Sequence, residues 1–266
     1  MANHYLIPDW PAPKNVRSAI SLRTGGVSEA PFNGNNLALH VEDNPAHVLA
    51  NRQTLVTALN LPCDPLWLEQ VHGTDIVYAP NIKGVPNIKG VPKAQGIPSA
   101  DGSYTDTANT VCAVLTADCL PVLLCNQSGT HVAAAHAGWR GLCNGILRDS
   151  VATFPQHDGQ IMAYLGPAIG PQTFEVGAEV LEAFLAKAQN AEHQQAIKAA
   201  FVSSSGAGKH LADLYALARA ELAASGVTAV YGGECCTFSQ PEQFYSYRRD
   251  RKTGRNASLI WMENSN

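Results

Sequence analysis

The sequence predicts an α+β fold with mixed or antiparallel sheets, and three observations support this fold class. Segments typical of strands and helices follow one another without the regular alternation of a parallel doubly wound sheet. The 266 residues are 45% hydrophobic, which is enough to bury a sizeable core. Residues 210–224 carry apolar side chains at helical spacing, as expected of a helix that packs against a sheet.

The strand predictions rest on short apolar runs bounded by polar, glycine or proline residues. In chain order these strands are residues 19–23, 67–69, 76–79, 111–116, 122–125, 130–135, 161–165, 229–232 and 258–262. Apolar residues three and four positions apart predict helices over residues 46–59, 141–153, 177–188, 194–200 and 210–224. No proline- or serine-rich linker divides the chain, so residues 1–266 are expected to form a single domain.

The charge of the chain argues against nucleic acid and membrane surfaces as partners. The net charge is −4, so the chain lacks the basic field that draws proteins to nucleic acid or anionic lipid. No run approaches the roughly 18 apolar residues of a membrane span, and MANHYLIPDWPAPKN at the start lacks the pattern of a secretion signal. We therefore expect a cytoplasmic protein with small-molecule partners; its oligomeric state does not follow from the sequence.

The chain has seven cysteines and no CxxC pair, which argues against both a disulfide framework and a zinc ribbon. Free cysteine behaves as a small hydrophobic residue. Cys63, Cys112, Cys125 and Cys143 are therefore expected to be reduced thiols that fill the core.

Residues 81–92, NIKGVPNIKGVP, are a hexapeptide written twice. Each copy contains glycine and proline, which interrupt helices and strand interiors. This segment is expected to be an enlarged surface loop without a chemical role.

The stretch LTADCLPVLLCNQSGTHVAAAHAGWRG, residues 115–141, is predicted to contain a hairpin with NQSG as its turn. A turn centred between Gln127 and Ser128 places Cys119 directly opposite His136, with their backbones about 4.5–5.5 Å apart. Such a pair serves either as a thiolate activated by imidazole or as two ligands of one metal ion.

His72 adds a third candidate ligand, because it stands in a glycine-bearing turn between two apolar segments of WLEQVHGTDIV. Two histidines and one cysteine leave the fourth position of a zinc ion open for water or substrate, as in catalytic zinc sites. The same donors also suit blue copper. Zinc is favoured because the chain contains no HxH pair and few methionines that are available as an axial ligand.

Several motifs together resemble the YfiH-type laccase-domain family over nearly the whole chain. They are SLRTGGVS, NLALHVEDNPAHVLANR, WLEQVHGTDIV, ADG, LTADCLPVLL, AAAHAGWRG, YLGPAIGP and FYSYRRDRKTGR. The resemblance implies that His72, Cys119 and His136 bind a metal, zinc or else copper. It also implies one α+β unit of mixed β-sheets sandwiched between helices, similar to the catalytic domain of cytotoxic necrotising factor.

The resemblance and the residues together favour a zinc-dependent purine nucleoside phosphorylase that acts on adenosine, inosine and methylthioadenosine, with adenosine deaminase side activity. Deamination needs an activated water and a carboxylate that carries protons, and Asp118 or Asp101 is available for this role. Cys119 and His136 are the other expected catalytic residues. The residues expected to bind the nucleoside and phosphate are Arg23, Gln70, Arg140 and Arg249.

Two other activities described for the family stay open at this point. One is a copper-dependent polyphenol oxidase of laccase type. The other is a hydrolase that edits the amino acid of UDP-muramyl cell-wall precursors, with Cys119 as its nucleophile or metal ligand.

Overall fold

The computed structural model describes residues 4–79, 97–155 and 159–264. The repeated hexapeptide at residues 81–92 lies outside the described residues. The strands are β1 (Tyr5–Leu6), β2 (Val16–Ser21), β3 (Ile76–Tyr78), β4 (Gly102–Thr105), β5 (Val111–Thr116), β6 (Leu120–Asn126), β7 (Val132–Ala137), β8 (Ile161–Leu165), β9 (Glu175–Gly177), β10 (Phe201–Ser203), β11 (Lys209–Ala212), β12 (Ala229–Gly232) and β13 (Asn256–Met262). The helices are α1 (Pro45–Ala58), α2 (Trp139–Asn144), α3 (Ile146–Ala152), α4 (Ala178–Ala186), α5 (Ala191–Ala199), α6 (Leu214–Ala224) and α7 (Tyr247–Asp250).

Three sheets organise these elements. The largest has six strands in the order β12-β8-β6-β7-β4-β3, with parallel pairs at both edges and antiparallel pairs between them. A four-stranded antiparallel sheet has the order β1-β2-β13-β5, and a small sheet has the order β10-β11-β9. The largest sheet is therefore mixed, as predicted.

The two larger sheets stack between helices. On one face of the six-stranded sheet, Val122 and Leu124 share a core with Leu147 of α3 and Leu217 of α6. The opposite face packs against the four-stranded sheet through residues that include Leu123. The outer face of the four-stranded sheet packs against α1 in a third cluster. This arrangement confirms the α+β class and the mixed sheets between helices.

Successive residues of a strand point to opposite faces, so a strand between two packed layers has no solvent-facing side. Every residue of β5, β6, β7 and β13 is buried. This explains why these segments read as nearly continuous apolar runs. Cys112, Cys125 and Cys143 are buried and Cys63 is half-buried, and all seven cysteines are free thiols.

Several predicted boundaries agree with the structure, and three predictions need correction. The strands at 111–116, 161–165 and 229–232 have the predicted ends. Residues 67–69 form no strand, because this segment makes only isolated bridges, at Leu66 and Glu69. The helix predicted over 141–153 is two helices, α2 and α3, separated by Gly145 at φ 101°, a left-handed conformation that glycine adopts without strain.

The third correction concerns residues 210–224. The helix α6 begins only at Leu214, because the Asp213 side chain caps it by accepting hydrogen bonds from the N–H groups of Tyr215 and Ala216. The preceding residues form β11, which pairs with β9 and β10 on its two sides. Strand pairing with distant segments thus overrides the local helical pattern. The unpredicted elements β1, β4, β9, β10, β11 and α7 have four residues or fewer.

Among the described residues, no helix has the length and apolar character needed to cross a membrane.

Candidate metal centre

Three side chains from separate segments converge at one end of the six-stranded sheet. His72 lies in the turn before β3, Cys119 lies in the bend before β6, and His136 lies in β7. Their ligand atoms all lie within 4.8 Å of one another, and Cys119 Sγ is 3.7 Å from His72 Nε2. The two imidazole rings meet edge to face with centroids 4.8 Å apart. The structure therefore brings together the three residues that the sequence predicted as metal ligands.

The hairpin that carries two of these residues has a register that differs from the prediction. His136 lies opposite Pro121, not Cys119, because the turn is centred one residue later. Asn126 fixes this turn: its side-chain oxygen accepts hydrogen bonds from the N–H groups of Thr130 and His131.

The error in register leaves the predicted convergence intact. A shift of two residues keeps side chains on the same face of a strand pair, and a diagonal neighbour remains within reach of a long side chain. Cys119 is therefore close to His136 from the bend before the strand.

Asp101 holds two of the three ligands in place. Its carboxylate is fully buried and accepts hydrogen bonds from the backbone N–H groups of Val71, His72 and Gly73, at N–O distances of 3.1, 2.9 and 2.6 Å. The same carboxylate lies 2.7 Å from His136 Nδ1. Because Nδ1 is engaged by a carboxylate, the other ring nitrogen of His136 is the one that faces Cys119 and His72.

Burial alone raises the pKa of the Asp101 carboxyl, but the hydrogen bonds from His136 and the backbone, together with the charge of His136, bring the pKa below its ordinary value. Asp101 is therefore ionised and acts only as an acceptor. It also fixes the His72 turn, in which His72 itself adopts φ 61°.

Cys119 and His136 shift each other's pKa in opposite directions. Burial raises the pKa of the Cys119 thiol, but the charge of His136 and hydrogen bonds from both histidines outweigh it and lower the pKa to about 6. Burial lowers the pKa of His136, whereas the Cys119 charge and the Asp101 carboxylate raise it to about 9. Both shifts favour a thiolate beside an imidazolium, a pair that suits either metal binding or nucleophilic attack.

Two glycines allow the start of α2 to lie directly against the ligands. A Cβ atom on Gly138 would lie 3.0 Å from His72 Cδ2, 3.1 Å from Cys119 Sγ and 3.5 Å from His136 Cε1. A Cβ atom on Gly141 would lie 2.8 Å from the backbone oxygen of Gly73. The GWRG motif therefore packs its backbone, without side chains, against the ligand cluster.

Asp118 lies beside Cys119 in the chain, but its carboxylate points to another segment. It accepts a hydrogen bond from Thr237 Oγ1 at 2.6 Å and one from the backbone N–H of Arg248 at 2.6 Å. Asp118 is buried and adopts φ 85°. It thereby ties the bend that carries Cys119 to the start of α7.

The four residues expected to bind substrate have different surroundings. Gln70 makes two 2.8 Å hydrogen bonds to the backbone of Leu115, so its amide extends the edge of β5. Arg23 donates to the Pro241 oxygen and lies over the Tyr245 ring.

The two other arginines differ in how far their guanidinium groups are engaged. Arg249 donates to the backbone oxygens of Thr237, Phe238 and Phe244 and to Asp250. Arg140 is exposed on α2 and stacks on Trp139, with its guanidinium carbon 4.4 Å from the ring centroid. Of the four, Arg140 is the one nearest in the chain to Gly138, which it follows by two residues.

Two further residues belong to the centre, and sequence reasoning did not give them these roles. The sequence offers Asp101 only as a proton carrier, although the residue stands in the ADG motif. Burial lowers the pKa of Arg255, the last residue of the TGR motif, and the nearby negative charges of Cys119 and Asp118 oppose this lowering. Only the fold shows these two relationships, because the residues lie far apart in the chain.

Residues 17–263 match the family model described as multi-copper polyphenol oxidoreductase laccase. The chain belongs to this laccase-domain family. The protein named purine nucleoside phosphorylase YfiH from Escherichia coli strain K12 is 51% identical over 257 residues, which cover 97% of this chain and 98% of the relative. A purine nucleoside phosphorylase from Pseudomonas aeruginosa is 47% identical over 261 residues, or 98% of this chain and 99% of the relative.

Solved structures of similar proteins have the same laccase-domain fold. A Neisseria meningitidis protein matches with a TM-score of 0.85 at 45% identity, covering 98% of this chain and all of that one (100%). YlmD from Geobacillus stearothermophilus matches with a TM-score of 0.85 at 30% identity, covering 99% of this chain and 98% of that one. The family resemblance read from the motifs is thereby confirmed over nearly the full length.

Proposed function

We propose that this protein is a zinc-dependent purine nucleoside phosphorylase that also deaminates adenosine. The observation that carries the proposal is the convergence of His72, Cys119 and His136 on one point, organised by a buried carboxylate. The names of the relatives from Escherichia coli and Pseudomonas aeruginosa support the substrate class.

The donor set fits zinc in chemistry, and the pair of Cys119 and His72 fits it in spacing. Two ligands bonded tetrahedrally to one zinc ion, a sulfur at about 2.3 Å and a nitrogen at about 2.0–2.1 Å, are about 3.5 Å apart. The distance between Cys119 Sγ and His72 Nε2 is 3.7 Å. Three protein ligands leave a fourth position for water or substrate, and a zinc ion bound there supplies Lewis acidity and lowers the pKa of a bound water.

The chain's own residues have separate tasks in this proposal. Asp101 keeps the Nδ1–H of His136 engaged, so that the other ring nitrogen is directed to the metal. Asp118 is the proposed proton carrier for deamination, and in this role its carboxylate exchanges one of the hydrogen bonds that it accepts from Thr237 and Arg248 for one with the substrate. Cys119 and His136 are the other proposed catalytic residues. Arg140, which is exposed two residues after Gly138, is the proposed phosphate contact, and the positive charge of Arg255 adds to the field near Cys119.

Arg23, Gln70 and Arg249 hold the surrounding loops through the hydrogen bonds described above. Their contribution to substrate binding is therefore proposed to be indirect, through the shape of the site.

The family description raises copper-dependent phenol oxidation as a second candidate. The described residues contain one convergent group of His, Cys, Asp and Glu ligands, namely these three side chains. Multi-copper centres use many more histidines, whereas a single three-ligand site suits mononuclear zinc. The donor set thus favours the phosphorylase proposal.

The experiment starts from protein purified without added metal, with its zinc and copper measured on the same sample. Inosine and phosphate are expected to yield hypoxanthine and ribose 1-phosphate, and adenosine is expected to release ammonia. Phenol-dependent oxygen uptake that needs stoichiometric copper would instead support the oxidase. Release of an amino acid from a UDP-muramyl conjugate would support precursor editing.

The variant His72→Ala is expected to lose both bound zinc and phosphorolysis, because it removes one of three ligands. His210→Ala is the matched control, since His210 lies in β11 of the small sheet. Phosphorolysis that persists in His72→Ala at the wild-type rate would contradict the proposed site.

A further inference from the structure

A pair of adjacent cysteines lies outside the metal centre, in the segment between β12 and α7. Cys235 and Cys236 are both half-buried and both line a cavity of about 310 Å³. The walls of this cavity also include Gly170, Tyr215 and Arg219. Neither cysteine belongs to the ligand cluster described above. Two thiols thus share one small-molecule-sized space.

The backbone around Cys236 is built to approach its sulfur closely. The N–H of Gly170 donates to Cys236 Sγ at 3.2 Å, and the Thr173 hydroxyl lies 3.6 Å from the same sulfur. Ser239 adds hydrogen bonds from its side chain and its backbone. A Cβ atom on Gly170 would lie 3.0 Å from Sγ, so glycine is needed for this approach.

The peptide that carries Cys236 is itself held firmly. The Cys236 N–H donates to Gln240 Oε1 at 2.8 Å, and the next N–H, of Thr237, donates to the Ala168 oxygen at 3.0 Å. On the other side, Tyr215 Oη donates to the Cys235 oxygen at 2.5 Å. The sulfur is therefore presented in a fixed position.

Hydrogen bonds to sulfur stabilise the thiolate more than the thiol. Burial raises the pKa of Cys236, but the hydrogen bonds from Ser239, Thr173 and Gly170 lower it below its ordinary value. The neighbouring thiol differs: burial and the charge of Glu234 raise the pKa of Cys235. A thiol with a lowered pKa thus stands next to a thiol with a raised pKa, the combination found at redox-sensitive sites.

We propose that Cys236 is a site of oxidative modification by hydroperoxides. The Cys236 thiolate attacks the terminal oxygen of the hydroperoxide, an S–O bond forms and the O–O bond breaks. The sulfur is oxidised by two electrons to the sulfenic acid, and the hydroperoxide is reduced to the alcohol, or to water when it is hydrogen peroxide. The leaving oxygen takes its proton from solvent.

The test uses the full chain with the metal that it carries when isolated. Hydrogen peroxide is added in the presence of dimedone, which traps sulfenic acids, and each cysteine is quantified by peptide mass spectrometry. Cys63 is the internal control, because it is also half-buried but its thiol pKa is raised by burial. Cys236 is expected to be labelled about tenfold faster than Cys63, because a thiol with a lower pKa has a larger fraction of the reactive thiolate form. Equal rates would overturn the proposal.

Variants distinguish the two adjacent sulfurs and test the hydrogen bonds. The label is expected to disappear in Cys236→Ser and to remain in Cys235→Ser; the reverse result would assign the reactivity to Cys235 and overturn the proposal. Thr173→Val keeps the side-chain shape and is expected to slow labelling several-fold, as is Gly170→Ala. Thermal unfolding of each variant shows whether it is folded. Folded variants of both kinds that are labelled at the wild-type rate would exclude the proposed activation.

Discussion

The replacement Asp101→Asn tests whether one buried carboxylate organises the metal centre. The substitution preserves the size of the side chain but converts one carboxylate oxygen into an NH₂ group, which donates hydrogen bonds and does not accept them. Each oxygen of Asp101 now accepts two hydrogen bonds. Oδ1 takes those from the His72 N–H and His136 Nδ1, and Oδ2 takes those from the N–H groups of Val71 and Gly73.

The expected loss follows from this geometry. Whichever way the amide is oriented, two donors face an NH₂ group and lose their acceptor. Hydrogen bonds to a charged group contribute about 1.5–3 kcal/mol each, so the free energy of unfolding is expected to fall by about 3–6 kcal/mol. Loss of the partner that orients a metal-binding histidine also weakens metal affinity by about 10–100-fold.

Two measurements separate these effects. Urea denaturation of metal-free protein gives the change in the free energy of unfolding, and competition with a chelator gives the zinc dissociation constant. Asp106→Asn is the matched control, because Asp106 lies next to the same strand β4 but its carboxylate accepts from the hydroxyl of exposed Tyr78. Wild-type stability and zinc affinity in Asp101→Asn would refute the role assigned to this carboxylate.

Two further predictions concern Gly138 and Glu221. In Gly138→Ala, the new methyl group would lie 3.0–3.5 Å from all three ligands. Overpacking of this kind costs about 1–3 kcal/mol, so zinc affinity is expected to fall about ten- to a hundredfold. Chelator competition measures this affinity, and an unchanged value would contradict the close packing. Glu221 is buried 3.3 Å from His193, and burial raises its pKa to about 7. A carboxyl with a raised pKa stabilises the folded protein fully below its unfolded-state pKa, near 4.5. This stabilisation is lost as the pH rises through the folded-state pKa of about 7. Glu221→Gln lacks this pH-dependent loss. As the pH rises from 4.5 to 8, its free energy of unfolding, measured by urea denaturation, is therefore expected to increase by about 2–3 kcal/mol relative to that of the wild type. Parallel pH profiles of the two proteins would show that this carboxyl does not set the pH dependence.

The residue pattern predicted several strands of the two larger sheets well. Both ends of strands β5, β8 and β12 were predicted correctly, because each strand is an apolar run bounded by polar or glycine residues. Elements such as β9 and β11 were missed because charged or polar residues break up their few apolar positions, and such strands exist only when a partner is present. Their pairing is a property of the folded chain.

The hairpin shows where local sequence information ends. The turn residues fixed the approximate position of the reversal, but the Asn126 side chain moved the register by two residues. Since strand faces repeat every second residue, the prediction that Cys119 and His136 share a site did not depend on this error.

The sequence by itself determined the fold class and, through local chemistry and motif order, the three candidate ligand residues. Only the tertiary structure decided that Asp101 joins His72 to His136, that Gly138 packs against all three ligands and that Cys236 lies in a cavity of hydrogen-bond donors. The physical reason is distance along the chain. Periodicity and turn chemistry act over a few residues, whereas a buried carboxylate or a close backbone contact depends on segments that only packing brings together.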